Sequence, residues 1–226
     1  MQRIDFYFDV ISPYAWLAFE RLPQVLQGQH HLVNYRPVLL AGLLGHWGQK
    51  GPAEIVPKRA WTYRQVAWLA QQQGTPLQLP QPHPFNPLAL MRLALAAAPA
   101  AGTPNRRVVE LLFRHVWCRD GADPNQPDAL ADLAQAVAPL RDPAGAEVKA
   151  ELRERTDAAL AMQQRLVEAV EEAELLPDID DLPEHLSGAE FSRRFGGVGA
   201  PAYLTMMADI EARLDRLPLL VATPLH

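Results

Sequence analysis

Hydrophobic positions change their spacing twice within the first forty residues. Ile4, Phe6 and Phe8 alternate with more polar positions, a period of two that predicts a buried, aromatic-rich strand. Over residues 14–27 the apolar set Trp16, Leu17, Phe19, Leu22, Val25 and Leu26 takes helical spacing. Alternation returns over 32–38, with Val33, Tyr35 and Pro37 on one face of a second strand. Residues 39–44 read as a short helix ended by Gly45, and 46–57 as a polar loop rich in glycine and proline. Helical spacing then dominates, over 58–73, 87–98, 104–117, 128–137 and from 144 onward. Asn86-Pro87 and Thr103-Pro104 each set a capping side chain before a proline. Strand character reappears over 201–207, with 210–213 as its pairing partner and 215–221 as a closing helix.

The order is strand–helix–strand, a helical block, then strand–strand–helix. It describes an α/β chain whose sheet is shared between its two ends. At the first strand–helix junction, Ser12 precedes Pro13, so a capping hydroxyl stands before proline at the first helical position. A strand feeding such a turn aims backbone N–H groups and the positive end of a helix dipole at whatever lies above. Ordinary helix capping accounts for Ser-Pro taken alone.

Composition narrows the functional classes. The chain has 226 residues, 49% of them hydrophobic, enough to bury a large core. A net charge of −5 and a pI near 5.8 give no electrostatic footprint for nucleic acid or an anionic membrane. No stretch is long enough to span a bilayer, and no signal peptide precedes the first strand, whose apolar run is broken by Asp5 and Asp9. A single cysteine, Cys118, allows no internal disulfide, which fits a reducing compartment and reads as an inert, partly buried thiol. The expectation is a cytoplasmic protein.

The segment Phe6-Tyr7-Phe8-Asp9-Val10-Ile11-Ser12-Pro13-Tyr14-Ala15-Trp16 resembles the active-site segment of DsbA-type thioredoxin-fold proteins. Ser12 takes the place of the attacking cysteine and Ala15 that of the resolving one. Disulfide exchange needs a thiolate and a second thiol, and neither position supplies one. A serine here is similar to the glutathione-dependent branch, the 2-hydroxychromene-2-carboxylate isomerases and kappa-class glutathione transferases. That resemblance implies a thioredoxin-like fold of residues 1–45 and 196–226 around an inserted helical domain of 46–195. In that branch the serine hydroxyl donates a hydrogen bond to the sulfur of bound glutathione. A free thiol ionises at about pH 8.5, and a positive helix end plus a hydroxyl donor lowers that value.

Further motifs carry the same resemblance. Gly197-Val198-Gly199-Ala200-Pro201-Ala202-Tyr203 is similar to the family's cis-proline loop, which implies that the backbone of Ala200, ahead of Pro201, pairs with the tripeptide. The loop Gly48-Gln49-Lys50-Gly51-Pro52-Ala53-Glu54-Ile55-Val56-Pro57-Lys58-Arg59 resembles the one that closes over glutathione carboxylates, with Gln49 and either Lys58 or Arg59 as binding residues. Asp215 matches the position that binds the γ-glutamyl amine. His83-Pro84-Phe85-Asn86-Pro87 is common in isomerase-type members; Asn86 reads as a cap, and His83 as a candidate acid or base. Tyr7, Trp16, Trp47, Trp61 and Trp68 could face an aromatic substrate, although core packing explains most of them equally well.

The chain departs from the family pattern in an extension at 162–194, where helical spacing first continues. It departs again after Pro201, where Glu211-Ala212-Arg213-Leu214 replaces the usual aromatic-Gly pair. The resemblance implies a glutathione-dependent isomerase acting on a small aromatic carboxylate, in a homodimer. The thiolate adds to an unsaturated carbon, the former double bond rotates, and elimination returns glutathione. A kappa-like transferase and a non-catalytic thioredoxin-fold binding protein are the alternatives.

Overall fold

Strand β1 (Gln2–Phe8), helix α1 (Pro13–Val25) and strand β2 (His31–Pro37) form a parallel βαβ unit, with Gln2 opposite His31 and Phe8 opposite Pro37. The structure is a computed structural model and describes residues 1–172, with side-chain surroundings through residue 165. Helices follow in the order α2 (Leu40–His46), a 3₁₀ turn at Pro52–Glu54, α3 (Val56–Gln73), α4 (Leu88–Ala96), α5 (Arg106–Trp117), α6 (Pro127–Val137) and α7 (Ala146–Glu172). Residues 1–160 form one compact unit. The strands predicted at 201–213, the helix at 215–221 and the return of the fold after residue 196 lie outside the described residues.

The sequence pattern becomes a core in a direct way. The inward side of β1 and the buried stripe of α1 meet α5, so Phe8, Trp16 and Phe19 surround Phe113 with ring centroids 5.6, 5.7 and 5.3 Å away. Tilted ring pairs at such separations suit the aromatic quadrupole. Helix α4 supplies Leu90, Met91, Leu93 and Leu95, all buried in the same core. On β2, Tyr35 and Pro37 are buried while Leu32 is exposed, as the alternation predicts. The strand–helix–strand opening and the helical section that follows therefore share one core across residues 1–160.

Pro23 lies inside the last turn of α1, where it has no N–H to give the carbonyl of Phe19. The Arg106 guanidinium supplies a donor instead, with Nη1 at 3.4 Å from that oxygen, and sits 4.1 Å above the Phe19 ring. Arg141 plays a related part at the far end of α4. Its Nη2 and Nε donate to the carbonyls of Leu95 and Ala98 at 2.9 and 3.0 Å, satisfying helix-end oxygens. Glu151 holds Arg141 at 2.6 Å and Arg155 at 2.6 Å. Burial pushes the Glu151 carboxyl up, and the two arginines outweigh it and hold the group below its ordinary value.

Element boundaries differ from the sequence expectation where caps compete. The cap of α5 is Asn105, whose Oδ1 accepts from the Val108 amide at 3.0 Å, so the helix begins two residues after Pro104 rather than at it. Helix α3 begins at Val56, with Pro57 in its first turn, rather than at Lys58. Helix α7 runs to Glu172, so the predicted continuation beyond residue 162 is present.

Candidate active site at the Ser12 turn

Ser12 caps α1, as its position before Pro13 predicts. Its backbone is extended, with φ −87° and ψ 116°, and its Oγ accepts from the Ala15 amide at 3.3 Å. The first turn of α1 carries no acidic residue, so its N-terminal dipole is not offset there. Among the described residues no acceptor takes the Ser12 hydroxyl proton. A depression of about 160 Å³ opens beside this hydroxyl, lined by Tyr7, Phe8, Asp9, Ala15, Val38, Leu40 and Leu43 together with Ser12.

The turn itself is held on every backbone polar group from Val10 to Ser12. The Val10 amide donates to Met91 Sδ at 3.4 Å, and the Val10 carbonyl accepts from Trp117 Nε1 at 3.0 Å. The Ile11 amide donates to Asp9 Oδ1 at 3.1 Å, and the Ile11 carbonyl accepts from His83 Nε2 at 2.9 Å. The Ser12 amide donates to the Asp9 carbonyl at 3.1 Å, and the Ser12 carbonyl accepts from Trp16 at 3.2 Å. Buried polar groups of this kind are costly to orphan, so side chains from α4, α5 and the 83–87 segment fix where Ser12 stands.

His83 is tied to this turn by chemistry as well as position. Since a carbonyl only accepts, Nε2 carries the hydrogen toward Ile11, and Nδ1 accepts from the Tyr63 hydroxyl at 2.7 Å. The ring packs edge-on against Trp117 with centroids 5.4 Å apart. Burial lowers its pKa, the Ile11 carbonyl opposes that, and the Arg59 charge adds to the lowering. A neutral, tautomer-locked imidazole results. The Gln81–Pro82 and His83–Pro84 bonds are both cis. Helix α4 begins at Leu88 with Pro87 in the cap position, one residue later than predicted, and Asn86 Oδ1 accepts from the Leu88 amide at 3.0 Å from just ahead of it.

Asp9 is the one charged side chain within the turn. It is 4% exposed, and its Oδ2 accepts from the Leu40 amide at 2.9 Å while Oδ1 holds Ile11. Burial raises its pKa to about 6, against the opposing pull of those two amides.

The remaining predicted site residues are placed less tightly. Gln49 and Lys58 are exposed, and Gln49 is anchored through its amide to the Leu44 carbonyl at 2.9 Å. Arg59, half-buried, donates from Nε to the Ala53 carbonyl, and its charge reaches both Tyr63 and His83. Of Lys58 and Arg59, both on the first turns of α3, Arg59 is thus the one whose charge acts on the groups that touch the Ser12 turn. Ala200, Pro201 and Asp215 lie outside the described residues. Trp16 is core, whereas Trp47, Trp61 and Trp68 are 44%, 62% and 56% exposed, so core packing does not account for those three. Cys118 is half-exposed with a thiol raised mainly by burial, which fits the inert reading.

Sequence reasoning missed Asp9, Met91, Tyr63 and Trp117 as parts of the site. Asp9 offered a usable signal, an acidic residue at the end of a hydrophobic strand. The other three stood in ordinary helical patterns, with nothing to set them apart.

A model of the DSBA-like thioredoxin domain matches residues 3–165. The chain belongs to the DSBA-like thioredoxin domain family. Within that family's relatives, glutathione S-transferase kappa 1 of Rattus norvegicus is 28% identical over 172 residues, 69% of this chain and 74% of its own. The human protein of the same name is 27% identical over 172 residues, 70% of this chain and 75% of its own. The 2-hydroxychromene-2-carboxylate isomerase of Sphingobium xenophagum is 29% identical over 139 residues, 60% of this chain and 68% of its own. A solved structure of a 2-hydroxychromene-2-carboxylate isomerase superimposes with a TM-score of 0.59 at 20% identity, covering 95% of this chain and 96% of that one. That superposition establishes the DsbA-like thioredoxin fold. Among the described residues no helix is long and apolar enough to cross a membrane.

Proposed function

We propose that this chain is a glutathione-dependent isomerase of the 2-hydroxychromene-2-carboxylate type, with Ser12 stabilising the glutathione thiolate. The observation that carries the reading is a Ser12 hydroxyl proton that no acceptor takes among the described residues, at the N-terminus of α1, in a turn whose backbone is fully occupied and which contains no thiol. Those residues fit glutathione: a hydroxyl donor and a helix N-terminus favour an anion, and the depression beside them has an apolar lining of Phe8, Val38, Leu40 and Leu43. The names of the similar isomerases and kappa transferases lend the same support.

When bound, glutathione supplies a thiolate that adds reversibly to an unsaturated carbon, so that rotation precedes its departure. The chain's own residues do the rest. Ser12 donates to the sulfur and keeps it ionised; Gln49, Lys58 and Arg59 supply polar and cationic contacts for carboxylates. Arg59 is the preferred cation because its charge acts on both His83 and Tyr63. In this reading Ala200, Pro201 and Asp215 complete the tripeptide site, and the substrate is a small aromatic carboxylate. The proposed homodimer and cytoplasmic location rest on the resemblance and on cysteine usage.

A kappa-type transferase is the second reading, favoured because the rat and human kappa proteins align over 69% and 70% of this chain against 60% for the Sphingobium xenophagum isomerase. Incubation with a hydroxychromene carboxylate, with and without glutathione, separates the two by product analysis. The isomerase returns free glutathione and a rearranged substrate, and the transferase consumes glutathione into a conjugate. Failure to bind glutathione at millimolar concentration would leave a non-catalytic binding protein.

A further inference from the structure

We propose that Asp9 is a positioning residue for the Ser12 site, its carboxylate tying the turn that bears Ser12 to the start of α2. The inference rests on the thiolate-binding reading of Ser12. One carboxylate oxygen takes the Ile11 amide and the other takes the Leu40 amide, at 3.1 and 2.9 Å. Helix α2 lacks a side-chain cap of its own at Leu39. Its first amides are instead satisfied from a distance, Leu39 by Thr156 Oγ1 at 3.1 Å and Leu40 by Asp9. Helix α2 leads into the 47–55 connection, which carries Gln49, and through it into the start of α3, which carries Lys58 and Arg59. Asp9 therefore connects the proposed thiolate end of the site to the origin of the proposed carboxylate-binding loop.

Only the ionised form offers both amides a carboxylate oxygen. Protonation turns one oxygen into a carboxylic hydroxyl, a much weaker acceptor, so one of the two ties is weakened. The carboxyl is buried and its ionisation lies near pH 6, and no charged side chain contributes to that shift; burial and the two amides account for it. Among the described residues, the titratable side chain that shares Ile11 with Asp9 is His83, which holds the Ile11 carbonyl. Tyr7 lines the same depression.

The test measures glutathione affinity by calorimetry from pH 5 to 8 for the full-length wild type, Asp9→Asn, His83→Gln and Ser12→Ala. The wild type should lose affinity as pH falls through about 6, and His83→Gln should keep that acid limb. Asp9→Asn should bind about tenfold more weakly at pH 7.5 and show no acid limb, because asparagine offers one acceptor and cannot titrate. Unchanged or tighter binding by Asp9→Asn, or an acid limb that disappears in His83→Gln, overturns the proposal. If Asp9→Asn does not fold, a wild-type profile flat through pH 6 overturns it by itself. Loss of the thiolate absorbance in Ser12→Ala with a normal Asp9→Asn profile refutes only the role of Asp9. A Ser12→Ala protein with unchanged thiolate ionisation removes the functional reading beneath it.

Discussion

The Ser12 turn and the loop that follows α2 carry the two halves of the same proposed site, yet they are built in opposite ways. The turn has a partner for every backbone polar group from Val10 to Ser12, three from side chains of α4, α5 and the 83–87 segment and three from Asp9 and Trp16. The segment after α2 presents Gln49, and Lys58 at the start of α3, to solvent, and is held by contacts within itself, among them Arg59 on the Ala53 carbonyl and the Glu54 carboxylate on the Gly51 amide at 2.8 Å. The contrast fits the chemistry. A hydroxyl that must meet a sulfur benefits from being fixed before the ligand arrives. A loop that recognises flexible carboxylates can order on contact, at a cost in affinity.

This contrast can be broken most severely at Trp117, which is fully buried and donates to the Val10 carbonyl. Trp117→Ala should cost about 3–5 kcal/mol of stability through the cavity it leaves, seen as a large fall in Tm. Trp117→Phe should keep most of the packing and lose about 1–2 kcal/mol, because the carbonyl loses its donor. If Trp117→Phe lost nothing, packing alone would explain the residue and the pinning of the turn would carry no weight.

Ser12→Ala addresses the same region without a core cavity. Activity should fall by about 10- to 100-fold, the range for one hydrogen bond to a charged group, with little change in Tm. On the loop, Arg59→Ala should weaken glutathione binding by about tenfold and Lys58→Ala by only a few-fold, since an exposed cation contributes little. Equal effects from the two would show that Arg59 is not directed toward the Ser12 turn. Gln49→Ala should have the smallest effect.

Asp9 gives the comparison a pH axis. Its folded pKa of about 6 lies above the ordinary carboxyl value, so the folded state holds the proton more tightly than the unfolded chain. Its contribution to stability is fullest below about pH 4 and declines as pH rises through about 6, by an amount on the order of 3 kcal/mol. The Tm difference between wild type and Asp9→Asn should therefore shift against the wild type as pH rises from 4 to 7. A charge that costs stability at neutral pH, placed in the proposed site, is what a functional group would show and an ordinary core residue would not.

The sequence made the βαβ opening, the helical block and the Ser12 cap legible because each depends on local spacing. Alternation marked β1 and β2, helical periodicity marked α3 to α7, and Ser-Pro marked the start of α1. Thr103-Pro104 misled because Asn105 competes as a cap and wins. The supports of the turn were not legible, since Met91, Trp117 and Tyr63 reach it across 81, 107 and, through His83, 20 residues of separation. His83 stood out only through its proline-rich setting, and nothing local showed that its ring would hold the Ile11 carbonyl.

The most direct test of the central claim is a titration of the bound thiol by its ultraviolet thiolate absorbance, in wild type and Ser12→Ala. The account predicts that wild-type protein lowers the thiol pKa of bound glutathione well below that of the free tripeptide, and that Ser12→Ala returns it most of the way while glutathione still binds. An identical titration in the two proteins would contradict it.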